Sequence, residues 1–224
     1  MNLSEEFLKN IDLKKCDWSY SPIKSFDHEE GEKLKKYRDF ITEREVKNQR
    51  VAIASIVGTE HRDYHMKSWI WMIAFGKRMN FALQDYKKNP QYYFQKERPR
   101  RVSENLHYST INGKEFYISD DGNHRTAIAK FVLWQAEEKY LYDVDVKYHD
   151  INYDFYGAYQ ELKSFCKNTP KFDSFSDLKD NVSSVVVINE FNNDRLRLYN
   201  ENEIKDFLNQ ENTISSKIKR FLSC

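Results

Sequence analysis

The stretch from Glu115 to Trp134 restricts the fold more than any other part of the chain. Glu115 to Ser119 reads as a strand, and Asp120-Asp121-Gly122-Asn123-His124-Arg125 follows it without a break. A helix then begins, with Ala127, Ile128, Phe131, Val132 and Trp134 as its apolar contacts. A strand that passes into a helix through a glycine turn sets the start of that helix at the end of the strand. The first N–H groups of a helix have no partner inside it, and the helix dipole makes that end partly positive. A glycine there lets a ligand come close to the backbone. Arg125 adds a permanent charge with several donors, and His124 adds a donor or a titratable group. Gly122, Asn123, His124, Arg125 and Thr126 are therefore the candidate phosphate-binding residues. A plainer reading stands beside this one: Asp121 caps the helix, Asp-Gly is an ordinary turn, and Arg125 pairs with a carboxylate in the core.

Bulk charge does not announce a partner. The 224 residues carry 36 Lys+Arg against 35 Asp+Glu, so any nucleic-acid surface has to be local. The one basic stretch, Lys96, Arg98, Arg100 and Arg101 around Pro99, is interrupted by Glu97. It reads either as a solvated connection or as a nucleic-acid contact that tracks a phosphate backbone. An aromatic content of 15% allows a substantial core despite the polar average. Cys16, Cys166 and Cys224 are odd in number with no close pair, which fits neither a disulfide framework nor a zinc knuckle and points to a reducing compartment. The N-terminus has charge too early for a signal peptide, and the apolar run Trp69 to Phe75 is too short to span a bilayer. A cytoplasmic protein with no membrane partner is expected. The abundance of Asn and Lys suggests an AT-rich bacterial or phage gene.

Along the chain, residues 4–15 and 28–49 read as helices, the latter on Leu34, Tyr37, Phe40 and Ile41. Val51 to Val57 reads as a strand or as a helix end capped by Gly58. Ser68 to Lys88 reads as one largely buried helix ended by Asn89-Pro90. Val102 to Tyr108 and Glu115 to Ser119 form a hairpin around Asn112-Gly113. Tyr142 to Tyr148 alternates as a half-buried strand does, and Phe155 to Phe165 is an amphipathic helix. Thr169-Pro170 and the polar stretch to Val182 mark an internal boundary. Beyond it come a Val-rich strand, a turn at Asn192-Asn193, a strand at Arg195 to Tyr199 and a helix started by Asn200 and Glu203. The expected organisation is an N-terminal helical extension over 1–49, a core over 50–168, and a C-terminal hairpin and helix over 169–224.

Gly122-Asn123-His124-Arg125, after a strand and before a small-residue helix, resembles the Gly-x-His-Arg signature of the ParB/sulfiredoxin superfamily. The wider string Tyr117 to Ala129 is similar to the Asp-Gly-Asn-His-Arg form of ParB-like nuclease-domain proteins. Ser55 to Tyr64, Ser-Ile-Val-Gly-Thr-Glu-His-Arg-Asp-Tyr, resembles the strand-loop segment that precedes the motif in such proteins. The likeness covers roughly residues 50–150. It implies an α/β (α+β) fold, a small mixed sheet with helices, in which the turn holds nucleotide phosphates, and it places the loop of Glu60, His61 and Arg62 beside that turn. Members include nucleotide hydrolases, phosphotransferases, nucleases and DNA-partition proteins, so the activity does not carry over with the fold. Sulfiredoxins place a reactive cysteine where this chain has Asn123, which excludes their chemistry. No helix-turn-helix follows Asp150, which argues against the partition role.

Phosphoryl chemistry needs charge neutralisation, an aligned nucleophile and often a metal. His124 and Arg125 are the candidates to hold a phosphate, and Arg62 to clamp a second one. Asp120 or Asp121 would hold Mg2+ or act as a base, and Glu60 would activate water or a hydroxyl. A nucleotide, ATP or CTP, is the second expected cofactor. His61 and His65, four apart, together with His124 offer a zinc or manganese set, though at no recognised metalloenzyme spacing. The leading expectation is a nuclease or nucleotide hydrolase or phosphotransferase. The rivals are a non-catalytic nucleotide- or nucleic-acid-binding module whose C-terminal segment recruits a protein partner, and a toxin or phage-encoded inhibitor acting through protein contacts.

Overall fold

The computed structural model describes residues 2–90, 106–119 and 122–222, the side chains of 215–222 excepted. The fold is mixed α/β, and the chain divides into two compact units, 1–33 with 44–149 and 34–43 with 150–224. The boundary expected near Thr169 falls inside the second unit, and the N-terminal extension is shared between the two.

The first unit is built on a six-stranded mixed sheet. Its strands are β1 (Lys24–Ser25), β2 (Ile41–Ala52), β3 (Ile56–Thr59), β4 (Leu106–Ile111), β5 (Phe116–Ser119) and β6 (Tyr140–Ile151), in the order β1-β3-β5-β4-β6-β2. β3 runs parallel to both β1 and β5, β4 is antiparallel to β5, and β4 is parallel to β6. The β4–β5 connection is the tight hairpin turn expected at Asn112-Gly113, whose φ values of 52° and 69° are the left-handed pair such a turn needs. Side chains alternate between the two faces of a strand. Leu106, Tyr108, Phe116, Ile118, Val144 and Val146 therefore form one apolar face. They share a core with Met72 and Ile73 of α4 (Trp69–Phe75), Leu83 of α5 (Met79–Lys88) and Ala127, Ile128 and Phe131 of α6 (Asn123–Gln135). The other face carries His107, Ser109, Tyr117, Ser119, Asp145 and Lys147.

Lys130 lies inside this core, 4% exposed. Its Nζ donates to the carbonyls of Ile53 and Ile56, both at 2.7 Å, and sits over the rings of Trp18 and Trp69. It joins α6 to the turn that opens β3.

Three sequence expectations are corrected. Residues 28–49 are not one helix: α2 (Phe26–Glu29) and α3 (Gly31–Lys36) are short, and Ile41–Ala52 is β2. The charged pattern that suggests a helix is that of a sheet-edge strand, most of whose side chains face water. The helix expected over 68–88 is broken between α4 and α5. Gly76 ends α4 and Arg78 takes a left-handed φ of 88°. Phe75 and Phe81 stay exposed there, so the apolar residues do not all reach one core. The helix expected over 4–15 is confined to α1 (Leu3–Lys9), and short 3-10 turns follow it.

In the second unit, α7 (Tyr153–Lys167) is followed by an antiparallel sheet β7-β8-β9 and by α8 (Glu201–Leu222). The strands span Phe172–Lys179, Val182–Asn189 and Asp194–Leu198. The polar stretch between Thr169 and Val182, read as an internal boundary, thus holds strand β7. Asp180 and Asn181, both left-handed, turn it into β8. Phe40, Phe155, Tyr159, Leu162, Phe172, Val185, Val187, Leu198 and Ile204 form its core. At the start of α8 the Asn200 side chain accepts from the Glu203 N–H, the cap expected from these residues, while Glu203 accepts from the N–H of the preceding Tyr199. Among the described residues no helix is long and apolar enough to cross a membrane.

Candidate functional site

Strands β3 and β5 lie side by side and parallel, with Thr59 opposite Ile118. Their carboxyl ends deliver two connections to the same place: the loop that begins at Glu60, and the turn into α6. The Glu60 N–H donates to the Ile118 carbonyl at 2.9 Å. The loop of Glu60, His61 and Arg62 therefore does stand beside the turn.

Gly122 precedes α6 in a left-handed conformation, φ 119°. A Cβ there would come within 2.6 Å of Leu106 Cδ2, so the position requires glycine both for its backbone and for space. The first turn of α6 is held from below by buried polar contacts. The Thr59 hydroxyl donates to Asn123 Oδ1 at 2.7 Å, and Thr59 Oγ1 accepts from the His61 N–H at 3.0 Å. The hydroxyls of Tyr108 and Thr126 are 2.7 Å apart, and both residues are fully buried. The side chains of Asn123 and Thr126 thus anchor the helix start inside the protein. Asn123 can offer an anion its backbone N–H rather than its side chain. Thr126, expected to bind phosphate, offers neither, because its N–H donates to the Gly122 carbonyl at 2.7 Å.

His124 and Arg125 are half-buried. His124 Nε2 is 2.8 Å from the Tyr64 hydroxyl, which fixes the ring. Burial, reinforced by Asp63, raises the Tyr64 phenol above its ordinary value, so it keeps its proton in the neutral range. Arg62 is exposed on the 3-10 turn Arg62–Tyr64. Asp120 and Asp121, named for metal and base roles, and Lys96, Arg98, Arg100 and Arg101, named for nucleic-acid contact, lie outside the described residues.

A second feature occupies the polar face of the same sheet. A cavity of about 520 Å³ is lined by Asp27, Glu45, Glu60, His107, Ser119 and Asp145, with Phe26, Lys147 and His149 among its other walls. Glu60 belongs to this cavity. Within it, Glu45 on β2, His107 on β4 and Asp145 on β6 each offer a donor atom, all within 4.8 Å of one another. No such set among the described residues unites His61, His65 and His124. His61 Nδ1 accepts from the Asp63 N–H, and the His65 ring lies against His28. Cys16 and Cys166 are buried thiols raised by desolvation first, which suits neither a nucleophile nor a metal ligand.

Sequence reasoning missed Glu45, His107 and Asp145. A signal for one of them was present, because the alternation of β6 sets Asp145 on the face away from Val144 and Val146; His107 becomes its neighbour only through the register of β4 and β6. Compared with protein-family models, with curated proteins and with solved structures, the chain gives no match.

Proposed function

We propose that the protein is a phosphate-ester enzyme, a nuclease or a nucleotide hydrolase or phosphotransferase, whose substrate phosphate sits at the start of α6. One observation carries this reading. The first turn of α6 stands at the carboxyl ends of two adjacent parallel strands, behind a left-handed glycine, with its side chains pinned from beneath by Thr59, Tyr64 and Tyr108. Such a pinned turn aims backbone donors outward without reorganisation when an anion arrives, and crevices at the carboxyl ends of parallel strands are where open α/β sheets bind ligands.

In this reading Gly122 admits the phosphate to the backbone. The N–H groups of Asn123, His124 and Arg125 receive it, and the Arg125 guanidinium neutralises it. His124, oriented by Tyr64, donates to a phosphate or leaving-group oxygen. Glu60, on the loop beside the turn, is the general base. Arg62 contacts a second phosphate. Mg2+, with Asp120 and Asp121 as its ligands, would neutralise phosphate charge. The resemblance of the turn to ParB-like nuclease-domain proteins supports a nucleotide or nucleic acid as substrate, and such substrates belong to the cytoplasm.

The test is incubation of the full chain with ATP, CTP, DNA and RNA in the presence of Mg2+, with products resolved chromatographically and repeated for Arg125→Ala. The expected result is turnover of one of these substrates that is lost in the variant. Turnover that survives the substitution contradicts the assignment. Binding without product supports instead a nucleotide-binding module that recruits a partner through its C-terminal segment.

A further inference from the structure

We propose that Glu45, His107 and Asp145 form a binding site for a first-row transition dication of the Mn2+ or Zn2+ class, on the polar face of the six-stranded sheet. The set shares its cavity with Glu60 but includes none of the residues that hold the phosphate at the start of α6, and the inference does not rest on that reading.

The placement follows from the register. His107 and Asp145 are direct partners across the parallel pair β4 and β6, so their side chains leave the same face side by side. β2 is the next strand beyond β6, and it contributes Glu45. Three neighbouring strands thus each supply one ligand-type side chain to one spot. Strands hold ligands more rigidly than loops do, which is what a preorganised metal site needs.

The chemistry of the set selects the ion. Two carboxylates and an imidazole suit a first-row transition dication, because imidazole favours Zn2+ and related ions while carboxylate favours Mn2+ and harder ions. Mg2+ and Ca2+, which take oxygen donors, gain little from His107. An ion about 2.1 Å from each ligand requires donor atoms within ~4 Å of one another. The present spread of up to 4.8 Å exceeds this by less than an ångström, and the exposed Glu45 side chain has room to move.

Two further observations favour a cation here. Asp145 is 3% exposed, and its Oδ1 accepts from the Asn48 N–H at 3.1 Å. A hydrogen bond from behind is how a ligating carboxylate is oriented. The cavity in front of the set is also anionic in its lining: Asp27, Glu45, Glu60 and Asp145 stand against Lys147. Concave surfaces lined by one sign of charge concentrate the counter-ion.

The test uses the full chain, stripped with a chelator and exchanged into chelator-free buffer. Calorimetry with ZnCl2 and electron paramagnetic resonance with MnCl2 should each report one ion per chain, with MgCl2 competing at least tenfold more weakly. Glu45→Gln and His107→Gln should each weaken the binding by tenfold or more and abolish the ion-dependent rise in Tm, while His61→Gln leaves both unchanged. Glu45 is exposed, so its variant keeps the fold even if other substitutions in the set do not. Absence of binding, equal affinity for Mg2+, or binding that survives both the Glu45 and His107 substitutions would overturn the proposal. None of these results bears on phosphate binding at Arg125.

Discussion

The Thr59 hydroxyl donates to the side-chain oxygen of Asn123 at 2.7 Å, with both residues buried. This contact ties the end of strand β3 to the first residue of α6. Thr59→Val keeps the shape and removes the donor, and leaves a buried acceptor that has lost this partner. A loss of about 1–3 kcal/mol is expected. Asn123→Ala should cost a similar amount, and the double variant less than the sum of the two, because they report one interaction. Urea unfolding of the four proteins measures this directly. Strict additivity would mean that the contact does not hold the turn.

Gly122 and Gly157 should respond in opposite directions to alanine. Gly122 has φ 119° and a Cβ there meets Leu106 Cδ2 at 2.6 Å, whereas Gly157 is within helix α7 with open space around it. Gly122→Ala is expected to destabilise by roughly 1–3 kcal/mol, from backbone strain and the clash with Leu106. Gly157→Ala should stabilise by roughly 0.5–1 kcal/mol through helix propensity. Thermal unfolding of the two variants checks both signs in one experiment.

Lys130 predicts a pH dependence. Burial pushes its ammonium down from the ordinary 10.5 to about 7. Between those two values the unfolded chain holds a proton that the folded chain lacks, so stability rises as pH climbs through this window and is insensitive to this group below it. The neutral amine keeps two N–H donors for the carbonyls of Ile53 and Ile56. Relative to Lys130→Met, the wild-type protein should gain about 2 kcal/mol between pH 7 and pH 9. Chemical unfolding of both proteins at the two pH values tests this, and a constant gap would contradict it.

Tyr64 orients His124 through the 2.8 Å contact of its hydroxyl with Nε2. Tyr64→Phe should reduce stability by only about 1 kcal/mol, the net worth of a typical hydrogen bond. Its expected effect on nucleotide affinity is larger, because the imidazole is no longer held in one orientation. Affinity that falls no further than stability would remove His124 from the site.

Local chemistry made the helix start legible in the sequence. Gly122 after a hydrophobic strand and before Ala127 and Ile128 forces the strand-turn-helix that is observed, and Asn112-Gly113 likewise fixes its hairpin. The alternation of Val144, Asp145, Val146 and Lys147 gave β6 its two faces. Glu45 was hidden because Ile41–Ala52 carries the charge pattern of a surface helix, and only its place at the sheet edge makes it a strand. His107 and Asp145 are far apart in sequence, and their pairing is a property of register that local pattern does not contain. The anchoring roles of Asn123 and Thr126 depend on Thr59 and Tyr108, which come from other strands. The left-handed pair Asp180 and Asn181, by contrast, was a turn signal present in the sequence, masked by the polar residues of β7 around it.

The claim on which the functional account depends is tested by a titration of the isotopically labelled protein with inorganic pyrophosphate, followed through its backbone amide resonances. The account predicts saturable shifts at the amides of Gly122, Asn123, His124 and Arg125, and their loss in Arg125→Ala with the remaining spectrum unchanged. Amides at the start of α6 that stay still while pyrophosphate shifts resonances elsewhere would contradict it.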